Sequence, residues 1–285
     1  MEIGDIISQK YQLLELIGKG KFGMVFSGFQ IKTREPVAIK LESSQSSAKL
    51  LKHETMILNH LYNNGCRSIP SVHWYGVHEG FTTLIMDCYE TPLDKYLEKN
   101  AISLEKKNYL MTKMIESIEK IHQYWAVHRD LKPANFMIGR DRKLYLIDFG
   151  LSTFYVDENK NHIPSSGGSL LHVIGTQKYM SYHVHCGEES VRRDDLLSIG
   201  YIYLFFICGK LPWEVYPEDF GETDYPEIHV EHPKNQWLKE RKRWENVDQI
   251  CGMIQNEPIQ RYFNYCYHLS FSKDPNYEGL KKLFL

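Results

Sequence analysis

Val127-His128-Arg129-Asp130-Leu131-Lys132-Pro133-Ala134-Asn135 is the stretch on which the reading of this chain turns. It places a carboxylate, an ammonium two residues later and a carboxamide five residues later on one short loop. The His-Arg-Asp-Leu-x-x-x-Asn spacing is complete at every fixed position, which chance rarely supplies. Thirteen residues beyond Asn135, Leu146-Ile147-Asp148-Phe149-Gly150 sets a second carboxylate at the end of a short apolar run. Such a group is a hard oxygen ligand of the kind Mg²⁺ takes.

Working outward toward the N-terminus, Gly18-Lys19-Gly20-Lys21-Phe22-Gly23-Met24-Val25 carries a G-x-G-x-x-G pattern. Alone it is weak. A dinucleotide fingerprint requires strand, glycine turn and helix. Here Met24-Val25-Phe26-Ser27-Gly28-Phe29 continues as a strand, so the glycines sit in a hairpin. That hairpin either folds over phosphates with its backbone N–H groups or is an ordinary glycine-rich turn. Val37-Ala38-Ile39-Lys40 follows, fourteen residues before Glu54. A strand lysine held by a helix glutamate can contact nucleotide phosphates; in isolation Lys40 reads as a solvated strand residue.

The surrounding pattern gives the organisation. Residues 11–19, 22–29, 36–41, 72–77 and 81–86 alternate as strands. Residues 43–47 read as a polar loop and N-cap, followed by Leu50, Leu51, Glu54, Ile57, Leu58 and Leu61 at helical spacing. After Asp87 the character turns helical. Ser103 heads an amphipathic helix over 106–121, residues 191–208 are apolar on nearly all sides, and 259–269 form an aromatic-rich helix. Strands first and helices second imply an α+β, two-lobed chain with its hinge near 86–92.

Composition narrows the classes. At 285 residues, with 42% hydrophobic and 25% charged residues, the chain is an ordinary globular one. Lys+Arg 34 against Asp+Glu 36 leaves a net charge of -2, so nothing global draws it to nucleic acid or an anionic membrane. The longest apolar run, 199–208, is half of the ~20 residues a spanning helix needs. The N-terminus lacks a signal-peptide pattern. Six scattered Cys with no C-x-x-C pair suit reduced thiols, and the expected compartment is the cytoplasm, with the nucleus as an addition.

With four motifs in order, the chain resembles a eukaryotic protein kinase over essentially its whole length. Lys132 is what serine/threonine kinases carry. Further stretches are similar to casein kinase 1: Gly175-Thr176-Gln177-Lys178-Tyr179-Met180-Ser181-Tyr182-His183-Val184-His185, Ser190-Val191-Arg192-Arg193-Asp194-Asp195-Leu196-Leu197-Ser198-Ile199-Gly200-Tyr201, Leu211-Pro212-Trp213, and Phe271-Ser272-Lys273-Asp274-Pro275-Asn276-Tyr277. The resemblance implies one bilobal protein-kinase domain over 1–285: a small strand-rich N-lobe (1–87), a hinge (87–91) and a larger helical C-lobe (92–285). It implies ATP and Mg²⁺ as cofactors, protein substrates of acidic character, and a monomer.

The same resemblance assigns roles. Ile17, Gly18, Gly20, Gly23 and Val25 would cover the nucleotide, and Ala38 and Met137 would sandwich the adenine. Met86 would be the gatekeeper, with backbone groups of Asp87 and Cys88 on the base edge. Lys40, paired with Glu54, would hold phosphates. Asp148 and Asn135 would hold Mg²⁺. Asp130 would accept the proton of the attacking hydroxyl, Lys132 would steady the γ-phosphate, and Thr176 would brace both. Asp195 would anchor the loop from the buried helix.

The pattern departs in two places. The family's Arg in its anion pocket is Lys178 here, which keeps charge but loses bidentate geometry, and a second basic position reads Leu171. Preference for phosphate-primed substrates should therefore be weaker. Residues 214–246 look longer than the family's stretch, acidic first (Glu218, Asp219, Glu222, Asp224, Glu227, Glu231) and basic after (Lys234, Lys239, Arg241, Lys242, Arg243). They read as a solvated insertion, with a docking site for a partner as the sharper reading. His183, His185 and Cys186 are ligand-type residues read as ordinary segment residues, and 201–206 reads as core. The pattern runs from Tyr11 to Leu285 and leaves no room within it for a regulatory tail. The alternative function is a kinase-fold scaffold with little turnover; Lys40, Asp130, Asn135 and Asp148 all being present argues for an enzyme.

Overall fold

The apolar–polar alternation in the first third requires a sheet with one covered face. The computed structural model, which describes residues 2–20, 23–46, 49–214 and 227–285, contains it. β1 (Ile6–Ile7), β2 (Tyr11–Gly20), β3 (Gly23–Gln30), β4 (Pro36–Ser43), β5 (Val72–His78) and β6 (Phe81–Asp87) form an antiparallel sheet in the order β1-β2-β3-β4-β6-β5. Ile7, Leu13, Phe26, Ile39, Leu41 and Ile85 pack together on one face. β4 is central, so Lys40 lies opposite Val25 on one side and Leu84 on the other. Gly20 pairs with Gly23; Lys21 and Phe22, at the tip of the expected hairpin, lie outside the described residues. Gly23 has φ +136°, and a Cβ there would stand 2.1 Å from the Leu41 carbonyl oxygen. No other residue fits that position.

α1 (Leu50–Asn63) packs on β4, β5 and β6 with Leu51, Ile57, Leu58 and Leu61 buried. The polar loop and N-cap expected over 43–47 is corrected, with Ser47 lying outside the described residues. The residue preceding the helix is Lys49, in a left-handed conformation without a side-chain cap. The buried carboxylate of Glu42 instead accepts from Leu50 N–H (3.2 Å) and Leu51 N–H (3.3 Å). A carboxylate accepts from two orphan donors and also suits the positive end of the helix dipole, whereas a serine hydroxyl would accept without supplying the charge. The short strands Phe136–Ile138 and Leu144–Leu146 pair, and residues 137–150 group with the residues up to Thr91 in one compact unit.

The second unit, 92–136 with 151–285, is helical. It holds α2 (Leu93–Lys99), α3 (Leu104–Gln123), α4 (Tyr182–His185), α5 (Arg192–Cys208), α6 (Pro233–Arg241), α7 (Trp244–Ile254), α8 (Glu257–Tyr267) and α9 (Tyr277–Lys282). The chain is therefore the mixed α+β class expected. Ser103 caps α3 by accepting from Lys106 N–H. α5 is buried along nearly its whole length, which its near-continuous apolar sequence dictates, and α3 and α8 pack on it. It ends at Gly209, whose φ of +76° is the left-handed cap that glycine adopts without cost. Its first turn buries Arg192, Arg193, Asp194 and Asp195, and each has a partner. Arg192 meets Asp274 and the Ser272 carbonyl, Arg193 meets Glu188 and the Leu269 carbonyl, and Asp194 takes Val191 N–H and the Ser181 hydroxyl.

The first described part of the 214–246 segment after the undescribed 215–226 is a strand, Glu227–His229, paired with His172–Ile174. The acidic half's Glu218, Asp219, Glu222 and Asp224 lie outside the described residues. The basic half is only partly a solvated face: Arg241 and Arg243 are exposed, whereas Lys234 and Lys242 are 2% and 0% exposed. Charge count along a helix does not reveal a lysine whose amine finds acceptors inside.

Candidate active site

In the sheet-containing unit, Lys40 is the centre of a charge cluster. A lysine on a central strand cannot reach solvent easily, and its Nζ lies 2.6 Å from Glu54 Oε1 and 2.9 Å from Asp148 Oδ1. Glu54 Oε1 also accepts from Phe149 N–H at 3.3 Å. Burial works against the charge on Lys40, yet Asp148 and Glu54 outweigh it and hold the amine above its ordinary value. Burial raises the Glu54 carboxyl against the pull of Lys40. Asp148 sits at φ +69°, unusual for a residue with a Cβ. Its side chain is 44% exposed, so this carboxylate offers a hard oxygen to a cation as well as to Lys40.

Gly18 stands opposite Val25 in the β2–β3 pair, with Ile17 exposed beside it. Ala38 stands opposite Met86 across β4 and β6, and both are buried. Met137 is half-buried. The Asp87 carboxylate is engaged by Ser71 N–H (2.8 Å), the Ser71 hydroxyl (2.8 Å) and His73 Nε2 (2.8 Å). Its side chain is thus tied to the start of β5, as is its N–H, which donates to the Ser71 carbonyl at 3.3 Å. Cys88 is half-buried, and burial pushes its thiol up. Tyr89 stacks on Tyr145 at 4.1 Å.

In the helical unit, Asp130 is organised on both oxygens. Oδ1 accepts from Thr176 N–H (2.8 Å) and the Thr176 hydroxyl (2.6 Å). Oδ2 accepts from Lys132 Nζ (2.8 Å), whose amine also reaches Thr176 Oγ1 at 3.0 Å. The Asn135 carboxamide donates to the Asp130 carbonyl at 2.8 Å, which leaves its oxygen as the acceptor end. The loop is pinned from α5: Asp195 takes His128 N–H (2.7 Å) and Arg129 N–H (2.9 Å), with Arg129 at φ +70°. Non-glycine residues at positive φ persist only where neighbours over-determine them, and they cluster at functional sites.

One contributor escaped the sequence reading. His122 places Nε2 3.0 Å from Asp195 Oδ2 and Nδ1 2.6 Å from the Tyr277 hydroxyl. A lone histidine at the end of a helix carries no signal for this. Lys178 forms an ion pair with Glu214 and lies 4.3 Å from the Phe205 ring centroid, while its carbonyl accepts from Trp213 Nε1 at 2.8 Å. His185 and Asn235 share a hydrogen bond.

A buried amine with two carboxylates is the chemistry that binds phosphate oxygens and a divalent cation. A carboxylate braced by a hydroxyl and an ammonium is the chemistry that receives a proton from an alcohol. A family model described as the protein kinase domain matches residues 11–276. Casein kinase I homolog 2 of Schizosaccharomyces pombe is 31% identical over 287 residues, 98% of this chain. The chain spans 62% of that relative's length.

Proposed function

The chain is a casein kinase 1-like member of the protein kinase family, and from that premise we propose that it transfers the γ-phosphoryl group of ATP to serine or threonine hydroxyls of proteins. The observation that carries this reading is the Asp130 carboxylate with Thr176 on one oxygen and Lys132 on the other. Held so, Asp130 keeps one geometry in which to orient a substrate hydroxyl and take its proton. Lys132 balances the negative charge that the carboxylate and a phosphoryl group bring together. Lys40, fixed by Glu54, neutralises nucleotide phosphates. Asp148 in the sheet-containing unit and the Asn135 carboxamide oxygen in the helical unit are each a hard donor of the kind Mg²⁺ would take, and the metal, when bound, neutralises charge on the transferring group. Gly18, Gly20, Gly23 and Val25 cover the nucleotide, and Asp87 and Cys88 meet the base through their backbone.

Radiolabelled ATP with casein tests the reading. The wild-type chain should label casein on serine or threonine, and Asp148→Asn should not. Equal labelling by both, or none by either, would count against it.

The substrate preference follows from Lys178. Its charge is already answered by Glu214, which supports weak recruitment of acidic or phosphorylated residues beside the acceptor. Glu214→Gln should raise the rate on a peptide with phosphoserine three residues before the acceptor, relative to its unphosphorylated form. A strong preference already present in the wild type would overturn this.

A further inference from the structure

Lys242 is completely buried, and none of the chemistry above uses it. A lysine in that position needs an acceptor for each N–H, and three surround it. Nζ is 2.6 Å from the Gln177 carbonyl, 2.8 Å from the Met180 carbonyl and 3.1 Å from His185 Nε2. It also lies 5.3 Å from the ring centroids of Tyr201 and Trp213, which favours a cation there.

The protonation of this cluster can be read from its far end. Asn235 Nδ2 donates to the His185 carbonyl (3.0 Å) and the Val230 carbonyl (2.8 Å), which fixes the orientation of that amide. Its oxygen therefore faces His185 Nδ1 at 2.6 Å, so the imidazole proton belongs on Nδ1 and Nε2 is an acceptor. A neutral His185 agrees with burial and the nearby ammonium, which together hold it well below its ordinary value. Three acceptors then meet the three donors of an ammonium group. Burial pushes the Lys242 amine down, and this complete set of acceptors opposes it.

The two carbonyls that Lys242 holds belong to the turn carrying Thr176. The Thr176 carbonyl accepts from Tyr179 N–H and Met180 N–H, both at 3.0 Å, closing residues 176–180 on themselves. The same Thr176 gives its N–H and hydroxyl to Asp130 Oδ1. We propose that Lys242 is a positioning residue for phosphoryl transfer: its buried amine clamps the 176–180 turn through the Gln177 and Met180 carbonyls and so holds Thr176 on Asp130. Further along the chain the clamp is anchored by the Tyr267 hydroxyl, which donates to the Lys242 carbonyl at 2.7 Å. The inference rests on the roles proposed above for Asp130 and Thr176.

The test is a double-mutant cycle on casein phosphorylation. Lys242→Met keeps the packing against Tyr201 and Trp213 but removes all three donors. It should lower kcat at least tenfold while the KM for ATP changes less than twofold. In a Thr176→Val background the same substitution should cost several-fold less, because the hydroxyl half of the contact it acts through is already gone and only the backbone N–H remains. Equal losses in both backgrounds would mean that Lys242 serves the fold alone and would overturn the proposal, as would a wild-type kcat in Lys242→Met. If Lys242→Met does not yield folded protein, His185→Leu removes one acceptor only. It should show the same pattern with a smaller loss, and additivity with Thr176→Val overturns the proposal equally. An inactive wild type, or a Thr176→Val variant with undiminished kcat, would instead sink the roles on which the proposal rests.

Discussion

Replacing Lys40 by methionine removes the cation between Glu54 and Asp148 while keeping the reach of the side chain. The two arms of the cluster are unequal. Asp148 is 44% exposed, so solvent screens it and its pairing contributes little to stability. Lys40 and Glu54 are 12% and 3% exposed, so their pair is a buried one. Breaking such a pair by removing one partner costs about 3–5 kcal/mol, because the other charge is left without compensation. For a chain of this size that lowers the melting temperature by roughly 5–8 °C. The loss should depend on pH. Burial already raises the Glu54 carboxyl, and without Lys40 the Phe149 N–H is left, among the described residues, to oppose the rise. A carboxyl whose folded value lies above its unfolded one costs stability as pH climbs through that interval. Lys40→Met should therefore be most damaging near pH 8 and least near pH 5. Adding Glu54→Leu removes the orphaned charge. It should recover stability to within about 1–2 kcal/mol of wild type, the remainder being the lost hydrogen bond from Phe149 N–H. Thermal unfolding by circular dichroism at both pH values reads all three chains. A single mutant that melts within a degree or two of wild type near pH 8, or a double mutant no better than the single, would refute this account of the cluster.

His73 and Asp87 are each about one-third exposed, so their pair should contribute about 0.2–1 kcal/mol. The Asp87 hydrogen bond raises His73, and Asp87 lies below its ordinary value even though burial pushes it up, because His73 and Ser71 pull it down. The contribution is thus present between the carboxylate and imidazole ranges, is lost above the raised His73 value, and is lost again in acid. His73→Ala should melt a degree or two below wild type near pH 5.5 and together with it near pH 9; an equal difference at both would remove the ion pair as the cause. Gly200 lies within α5, and a Cβ there would stand 2.5 Å and 2.9 Å from two Phe263 ring atoms. Gly200→Ala gains helix propensity of about 1 kcal/mol, yet overpacking against the buried Phe263 ring costs about 1–3 kcal/mol. Urea unfolding should show a net loss, and a stabilised variant would contradict that packing.

What was legible in the sequence is what local spacing encodes. The alternation over 11–41 and 72–86 specifies strands, and the apolar continuity over 191–208 specifies a buried helix. The motif residues Lys40, Glu54, Asp130, Lys132, Asn135 and Asp148 announce themselves because each lies in a short, fixed pattern. Illegible were side-chain partnerships between distant, individually unremarkable residues. Glu42, just past the strand expected over 36–41, carries no signal until α1 is placed with its N–H groups over that carboxylate. His122 reads as an ordinary helix-end residue until Asp195 and Tyr277 are brought to its two nitrogens. Lys242 sits in a run of charges that suggests solvent, and only the carbonyls of Gln177 and Met180 explain why it is buried. A carbonyl is present at every residue, so no sequence pattern marks the few that receive a buried ammonium.

The central claim is that Asp130, braced by Thr176 and Lys132, receives the proton of a serine or threonine hydroxyl as the γ-phosphoryl group moves. Transfer of labelled phosphate from ATP to casein, measured for wild type and Asp130→Asn alongside nucleotide binding, tests it most directly. The account predicts labelled phosphoserine or phosphothreonine with the wild type, loss of transfer by roughly a hundredfold or more with Asp130→Asn, and the same nucleotide affinity for both. Wild-type transfer rates in Asp130→Asn, with nucleotide bound as before, would contradict it.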